Sequence, residues 1–329
     1  LNEKYTVPIQ KSAKAFSGVG ESVVLFLAVK KAGQSAELRV SSPAVAESGG
    51  VIENSDVAIR TSSICSISDE LAIPLARKSD WRLLEWLSEN AKGKFSSLAE
   101  GRVGDVDQTV YRDFMVDAGD AILLRGDQLV PFAADVEPRK EPRRFLERSG
   151  FYRLKGDGAP ACRERVEHER IAQMGIRNRE CFPRLIAARI PQGVFCGNSL
   201  NVWEPRNGIP FELVLGLLNS RLYDWRFRLF SGNNNINIYE VNSLPLPSGL
   251  AALAEGCNFS NRKACSELAS VAQPVIDAVK MAECAGAANL AGARSCLDKA
   301  VANLFGLPDE LQDCLLLPGK SVRRRAKSN

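Results

Sequence analysis

The chain has 329 residues, 45% of them hydrophobic and 25% charged, ordinary globular values that exclude wholesale disorder and leave room for two domains. The formal net charge is only +4, but residues 137–184 carry 13 Lys/Arg against 8 Asp/Glu, and Arg323-Arg324-Arg325-Ala326-Lys327 adds a second basic cluster. Nine cysteines with no CxxC pair, beside the single histidine His168, speak against a structural zinc site. The odd cysteine count and the lack of a secretory signal point to reduced thiols in a cytoplasm. No apolar run reaches the roughly 18 residues that a membrane helix requires. The chain begins at Leu1 rather than methionine, which suggests a portion of something longer.

Three stretches follow in chain order. In the first, residues 1–92, Glu21-Ser22-Val23-Val24-Leu25-Phe26-Leu27-Ala28-Val29 is apolar on both faces, as a strand inside a sheet would be. Ala32-Gly33-Gln34-Ser35 turns it, and Ala36-Glu37-Leu38-Arg39-Val40 can return antiparallel. Ser79-Asp80 is placed to cap a short helix carrying Trp81, Leu84 and Leu87.

The second stretch, residues 93–250, is rich in short strands. Ala121 to Val130 reads as a strand broken at Gly126, and Glu137-Pro138-Arg139-Lys140-Glu141-Pro142 as a charged linker. Leu185–Ile190 and Val194–Cys196 suggest a hairpin closed by Pro191-Gln192-Gly193. Phe211, Val214, Leu218, Leu222, Trp225 and Leu229 recur at helical spacing, so one amphipathic helix is expected over 211–230, with Gly232 at the left-handed position past its end. The third stretch, residues 251–319, is alanine-rich and helical, its last helix stopped by Gly306, and residues 320–329 form a basic tail expected to be disordered.

Few motifs carry chemistry on their own. Phe16-Ser17-Gly18-Val19-Gly20 has the FxGxG form of S-adenosylmethionine loops, but it precedes a strand where such a loop should follow one and open a helix. No Asn-Pro-Pro-Tyr-like tetrapeptide occurs. Asp135, Glu137 and Lys140 are too poorly spaced for a nuclease cluster, and His168 sits in a charged segment that suits an exposed helix face. More distinctive is the mixture of amides and guanidinium groups over residues 170–247. Asparagine fills turns and caps by bonding nearby backbone. Its amide can also read an adenine edge bidentately, and here it stands among Arg177, Arg179, Arg184, Arg221, Arg226 and Arg228. Such a surface suits a polyanion, with affinity that falls steeply with salt.

The order of these motifs is more specific than any one of them. Arg170-Ile171-Ala172-Gln173, Phe195-Cys196-Gly197-Asn198-Ser199-Leu200-Asn201, Leu215-Gly216-Leu217-Leu218-Asn219-Ser220 and Asn233 to Pro247 together resemble the TaqI-like C-terminal specificity domain of adenine-specific DNA methyltransferases. These enzymes belong to type II restriction–modification and related phage-defence systems. Gly104-Asp105-Val106-Asp107-Gln108-Thr109 with Leu124-Arg125-Gly126-Asp127 resembles the entry to that domain. Phe16–Val19 with the 23–29 strand resembles the last hairpin of a methyltransferase domain, and Leu297 to Leu307 the closing helix.

The resemblance implies an α+β chain: the end of a methyltransferase α/β sheet, a mixed target recognition domain, and C-terminal helices. It also implies sequence-specific recognition of double-stranded DNA on behalf of an upstream methyltransferase domain of the same protein. That domain would use S-adenosylmethionine to methylate N6 of a flipped adenine. Catalytic and cofactor-binding residues are expected outside this chain, and no metal site is expected in it. The expected DNA contacts are Arg125, Gln173, Arg177, Arg179, Asn198, Asn201, Asn233, Asn234 and Asn235. Two alternatives remain open at this point. One is the same module in a fused restriction endonuclease–methyltransferase; the other is a non-catalytic module that docks a protein through the apolar 211–230 segment.

Overall fold

The computed structural model describes residues 37–45, 51–60, 74, 76, 78–136, 144–179, 181–285 and 289–316. The expectations for the 16–20 loop, the 21–29 strand, the 137–142 linker and the 320–329 tail lie outside them. The architecture is α+β, and the chain divides into two compact units: Leu1–Asn90 with Gly306–Asn329, and Ala91–Phe305.

In the first unit Glu37–Val45 pairs antiparallel with Val51–Arg60, with a register shift between Pro43 and Ala44. The strand expected over 36–40 is therefore longer, and its described partner lies after it in the chain. Helix Lys78–Asn90 buries Trp81, Leu84 and Leu87, the stripe its spacing demands, and Asp309–Leu316 packs against it.

The second unit holds two four-stranded sheets. One runs in the order Ala187–Ile190, Arg170–Met174, Leu200–Pro205, Ala99–Val103, antiparallel throughout. The other runs Phe195–Cys196, Ala121–Leu124, Phe145–Leu146, Met115–Val116, and its first pair is parallel. Leu124, Ala172, Ile186, Ile190, Cys196 and Val202 share one core. Val106, Leu123, Phe151 and Phe195 share a second, where the rings of Phe151 and Phe195 meet edge to face at 5.7 Å. Helices Ser248–Asn258, Arg262–Cys284 and Leu290–Phe305 complete the unit, and Gly306 (φ 68°) follows the last of them as expected.

Three local expectations are corrected. Leu185–Ile190 and Val194–Cys196 do not form a hairpin: Ala187–Ile190 pairs with Arg170–Met174, and Phe195–Cys196 crosses to Ala121–Leu124. Gly193, at φ 83°, lets the chain leave one sheet for the other, and its N–H donates to the Val166 carbonyl at 2.7 Å. The helix expected over 211–230 is two, Phe211–Asn219 and Arg221–Phe230, because Ser220 is extended (φ −75°, ψ 149°). Its hydroxyl donates to the Leu217 carbonyl at 2.8 Å and accepts from the Tyr223 N–H at 3.3 Å, closing one helix and capping the next. Finally, Gly232 is not among the residues with positive φ; Ser231 (φ −89°) ends the second helix without a left-handed turn.

Candidate nucleic-acid interface

Strand ends decide where the motifs meet. Arg170–Met174 and Ala99–Val103 finish, and Leu200–Pro205 starts, on the same edge of the first sheet, since Gln173 opposes Asn201 and Asn201 opposes Val103. Ser199 ties the loops that leave this edge. Its carbonyl accepts from the Gly175 N–H at 2.9 Å and its hydroxyl from the Gly126 N–H at 3.2 Å. Gln108 Nε2 donates to Asn198 Oδ1 at 3.1 Å, and the Asn198 N–H donates to the Val106 carbonyl at 2.9 Å. The Ile236 N–H reaches the Gly175 carbonyl at 2.8 Å. Four motifs far apart in sequence, with the loop after Asn233, thus assemble at one place. Gly104 is required there because a Cβ would overlap the Gly197 carbonyl.

The outer layer is two loops laid side by side. The Arg177 N–H donates to the Asn234 carbonyl at 2.9 Å, the Arg179 N–H to Asn234 Oδ1 at 3.1 Å, and Ile176 forms an antiparallel bridge with Asn235. Arg177 Nε donates to the Pro183 carbonyl at 2.6 Å and Arg228 to the Cys181 carbonyl at 2.6 Å. Below, buried Arg184 reaches the Ser231 and Asn235 carbonyls, each at 3.4 Å, with its guanidinium 5.0 Å over the Phe227 ring. Burial first, and the charge of Arg228 second, hold the Arg184 pKa below the ordinary guanidinium value. Buried Asp224 accepts the backbone N–H groups of Arg184 and Leu185 at 2.6 and 2.8 Å. Desolvation nevertheless raises its pKa against the opposing pull of those bonds and of Arg228.

The expected contact residues divide by burial. Asn233, Asn234 and Asn235 are exposed, and Arg177 and Arg179 are half-buried with them on the paired loops. Arg125 is half-buried at the turn bound to Ser199, where its backbone N–H donates to Gln128 Oε1 at 2.9 Å. Asn198 spends its carbonyl oxygen on Gln108. Gln173 and Asn201 lie beneath the surface. Gln173 Oε1 accepts from the Trp203 indole at 2.8 Å, and Asn201 Nδ2 donates to the Ile236 carbonyl at 2.7 Å. Those two amides hold the edge together and present nothing outward.

Two further motif residues have the same internal role. Buried Arg170 donates from Nη1 to both oxygens of buried Asp105, at 3.0 Å each, and from Nη2 to the Val194 carbonyl at 2.6 Å, while the Cys196 N–H donates to Asp105 at 3.0 Å. Neither was legible as a pair, since 65 residues separate them. Arg144 similarly closes on Asp127 at 2.7 Å, holding that carboxyl below its usual pKa. His168 is exposed just past helix Ala159–Val166.

Neither loop at this edge runs from a strand into an α-helix N-terminus. A cofactor phosphate or carboxylate loop needs a strand that turns into a helix N-terminus. Here Phe195–Cys196 turns back into a strand, and Ala121–Leu124 leads to a three-residue 3-10 turn. Among the described residues there is no group of three or more His, Cys, Asp or Glu able to hold a metal ion, and no helix long and apolar enough to cross a membrane.

The fold and site define an α+β unit whose motif loops converge on one sheet edge. No family model matches the sequence, and no curated protein does. Among solved structures, the type IIL restriction–modification enzyme MmeI in complex with DNA is similar, with a TM-score of 0.36 and 15% identity over 87% of this chain. The match covers 41% of MmeI, so the chain spans about two-fifths of that protein's length.

Proposed function

We propose that the chain is the sequence-specific DNA recognition portion of an N6-adenine DNA methyltransferase of a restriction–modification system. Methyl transfer from S-adenosylmethionine would be the work of a separate methyltransferase domain of the same protein. The observation that supports this reading is the convergence of the resembling motifs on one edge, crowned by exposed amides and half-buried arginines. Phosphate contacts would come from Arg177, Arg179 and Arg125, and base reading from Asn233, Asn234 and Asn235. Gln173 and Asn201 are left out of the proposed contact set because both are buried beneath the edge.

The test is anisotropy with a labelled 30-base-pair duplex across a salt series. The chain should bind at low salt and weaken steeply as salt rises. Arg177→Ala/Arg179→Ala should weaken binding to all sequences alike and flatten the salt dependence by about two phosphate contacts. No affinity at low salt would favour a protein-docking module instead.

A further inference from the structure

The loop that carries the arginines also carries two exposed apolar side chains. Ile176 is 57% exposed and Phe182 is 52% exposed. Such groups at the tip of a polar loop offer apolar area that a partner can cover. Phe182 is nonetheless held firmly from behind. The carbonyls of its two neighbours, Cys181 and Pro183, accept the Arg228 and Arg177 guanidinium groups, each at 2.6 Å. The Arg228 guanidinium lies 5.8 Å from the Phe182 ring centroid. Among the described residues no carboxylate forms an ion pair with Arg177 or Arg228. An apolar partner protein would have to desolvate both charges. A nucleic acid supplies phosphates for the guanidinium groups and a base face for the ring.

We infer that Phe182, with Ile176 on the same loop, is an apolar wedge that enters a base step of bound duplex DNA and stacks on an unstacked base. Arg177 and Arg228 hold the flanking phosphates. The inference rests on the proposed DNA-recognition role and assigns it a mechanism: amides read edges while the ring opens the stack. Wedges of this chemistry unstack and kink duplexes, at a cost that is smallest where the stack is already interrupted.

That last point gives a test that needs no knowledge of the recognition sequence. Two 30-base-pair duplexes of identical sequence would be compared, one fully paired and one with a central abasic site. The wedge predicts that the chain prefers the abasic duplex by about tenfold, the scale of one base–aromatic stack. Phe182→Ala should abolish the preference while leaving the salt dependence unchanged, and Phe182→Trp should keep or increase it. Phe182→Trp also shows that the loop tolerates substitution. Equal affinity of the unaltered chain for both duplexes, or a preference that survives Phe182→Ala, overturns the wedge but leaves the recognition role standing, because salt-dependent binding persists. Failure to bind either duplex at low salt overturns both.

Discussion

Asn219 holds Ala187 by both ends of its amide: Oδ1 accepts the Ala187 N–H at 3.1 Å and Nδ2 donates to the Ala187 carbonyl at 2.9 Å. The amide thereby pairs Ala187 on the outer edge of Ala187–Ile190, where the Phe132 N–H also donates to the Ala187 carbonyl at 2.9 Å, and couples that edge to helix Phe211–Asn219. Its second N–H bond, to the Leu215 carbonyl at 3.1 Å, stays within the helix. Asn219→Ala leaves the buried Ala187 N–H unpaired and should cost about 1–3 kcal/mol in urea denaturation. Asn219→Asp should cost more at neutral pH, since an oxygen then faces two carbonyls. A loss under about 0.5 kcal/mol for the alanine variant would show that water replaces the amide there.

The buried pair of Asp105 and Arg170 ties the entry motif to the central strand. Asp105→Ala should destabilise the chain by about 3–5 kcal/mol, because it strands a guanidinium in the core. Asp105→Ala/Arg170→Met should recover part of that loss. If the double variant is no better than the single, the bonds to Cys196 and Val194 matter more than the charge balance.

Asp224 sets a pH dependence whose sign can be stated. Burial raises its pKa in the folded chain above its unfolded value. The unfolded state therefore releases its proton first as pH rises, and stability falls from the ordinary carboxylate range up to the raised folded value. Asp224→Asn keeps an acceptor for the Arg184 and Leu185 N–H groups and cannot ionise. Its stability relative to the unaltered chain should thus improve as pH rises above the ordinary carboxylate range, measured by thermal melts across a pH series. A difference independent of pH would mean that Arg184 and Arg228 offset the burial.

Asn233 and Asn234 should separate reading from architecture. The Asn233 side chain is exposed and makes no bond within the described residues, so Asn233→Ala should change stability by less than about 0.5 kcal/mol. On a cognate duplex it should cost about 1–3 kcal/mol of binding if it reads a base. Asn234→Ala removes the side-chain bond to the Arg179 N–H and should weaken binding to cognate and random duplexes alike by misplacing the arginine loop. Equal effects of the two variants on both duplexes would remove Asn233 from base reading.

Several elements were legible because short-range chemistry dictates them. The stripe of Trp81, Leu84 and Leu87 buries one helix face, Gly126 interrupts its strand, and Gly306 ends the last long helix. The 211–230 helix misled because its apolar period runs unbroken through Ser220, although the Asn219-Ser220 pair carries the capping chemistry that breaks it. The 185–196 hairpin misled because the turn residues are right for a hairpin while the partners are in different sheets.

What the sequence determined by itself was composition, the positions of turns and most helices, and the order of motifs that resembles a DNA-specificity domain. It could not say which amides and guanidinium groups face outward. Asn, Gln and Arg carry the same donors and acceptors whether they meet a base or a carbonyl 35 residues away, as Asn201 meets Ile236. Only the tertiary structure turned Gln173, Asn201, Asn219 and Arg170 inward to satisfy buried polar groups, and left Phe182, Ile176 and Asn233 to Asn235 in solvent. Burial is a property of the assembled sheets, and an unpaired polar group inside them costs more than any local preference can supply.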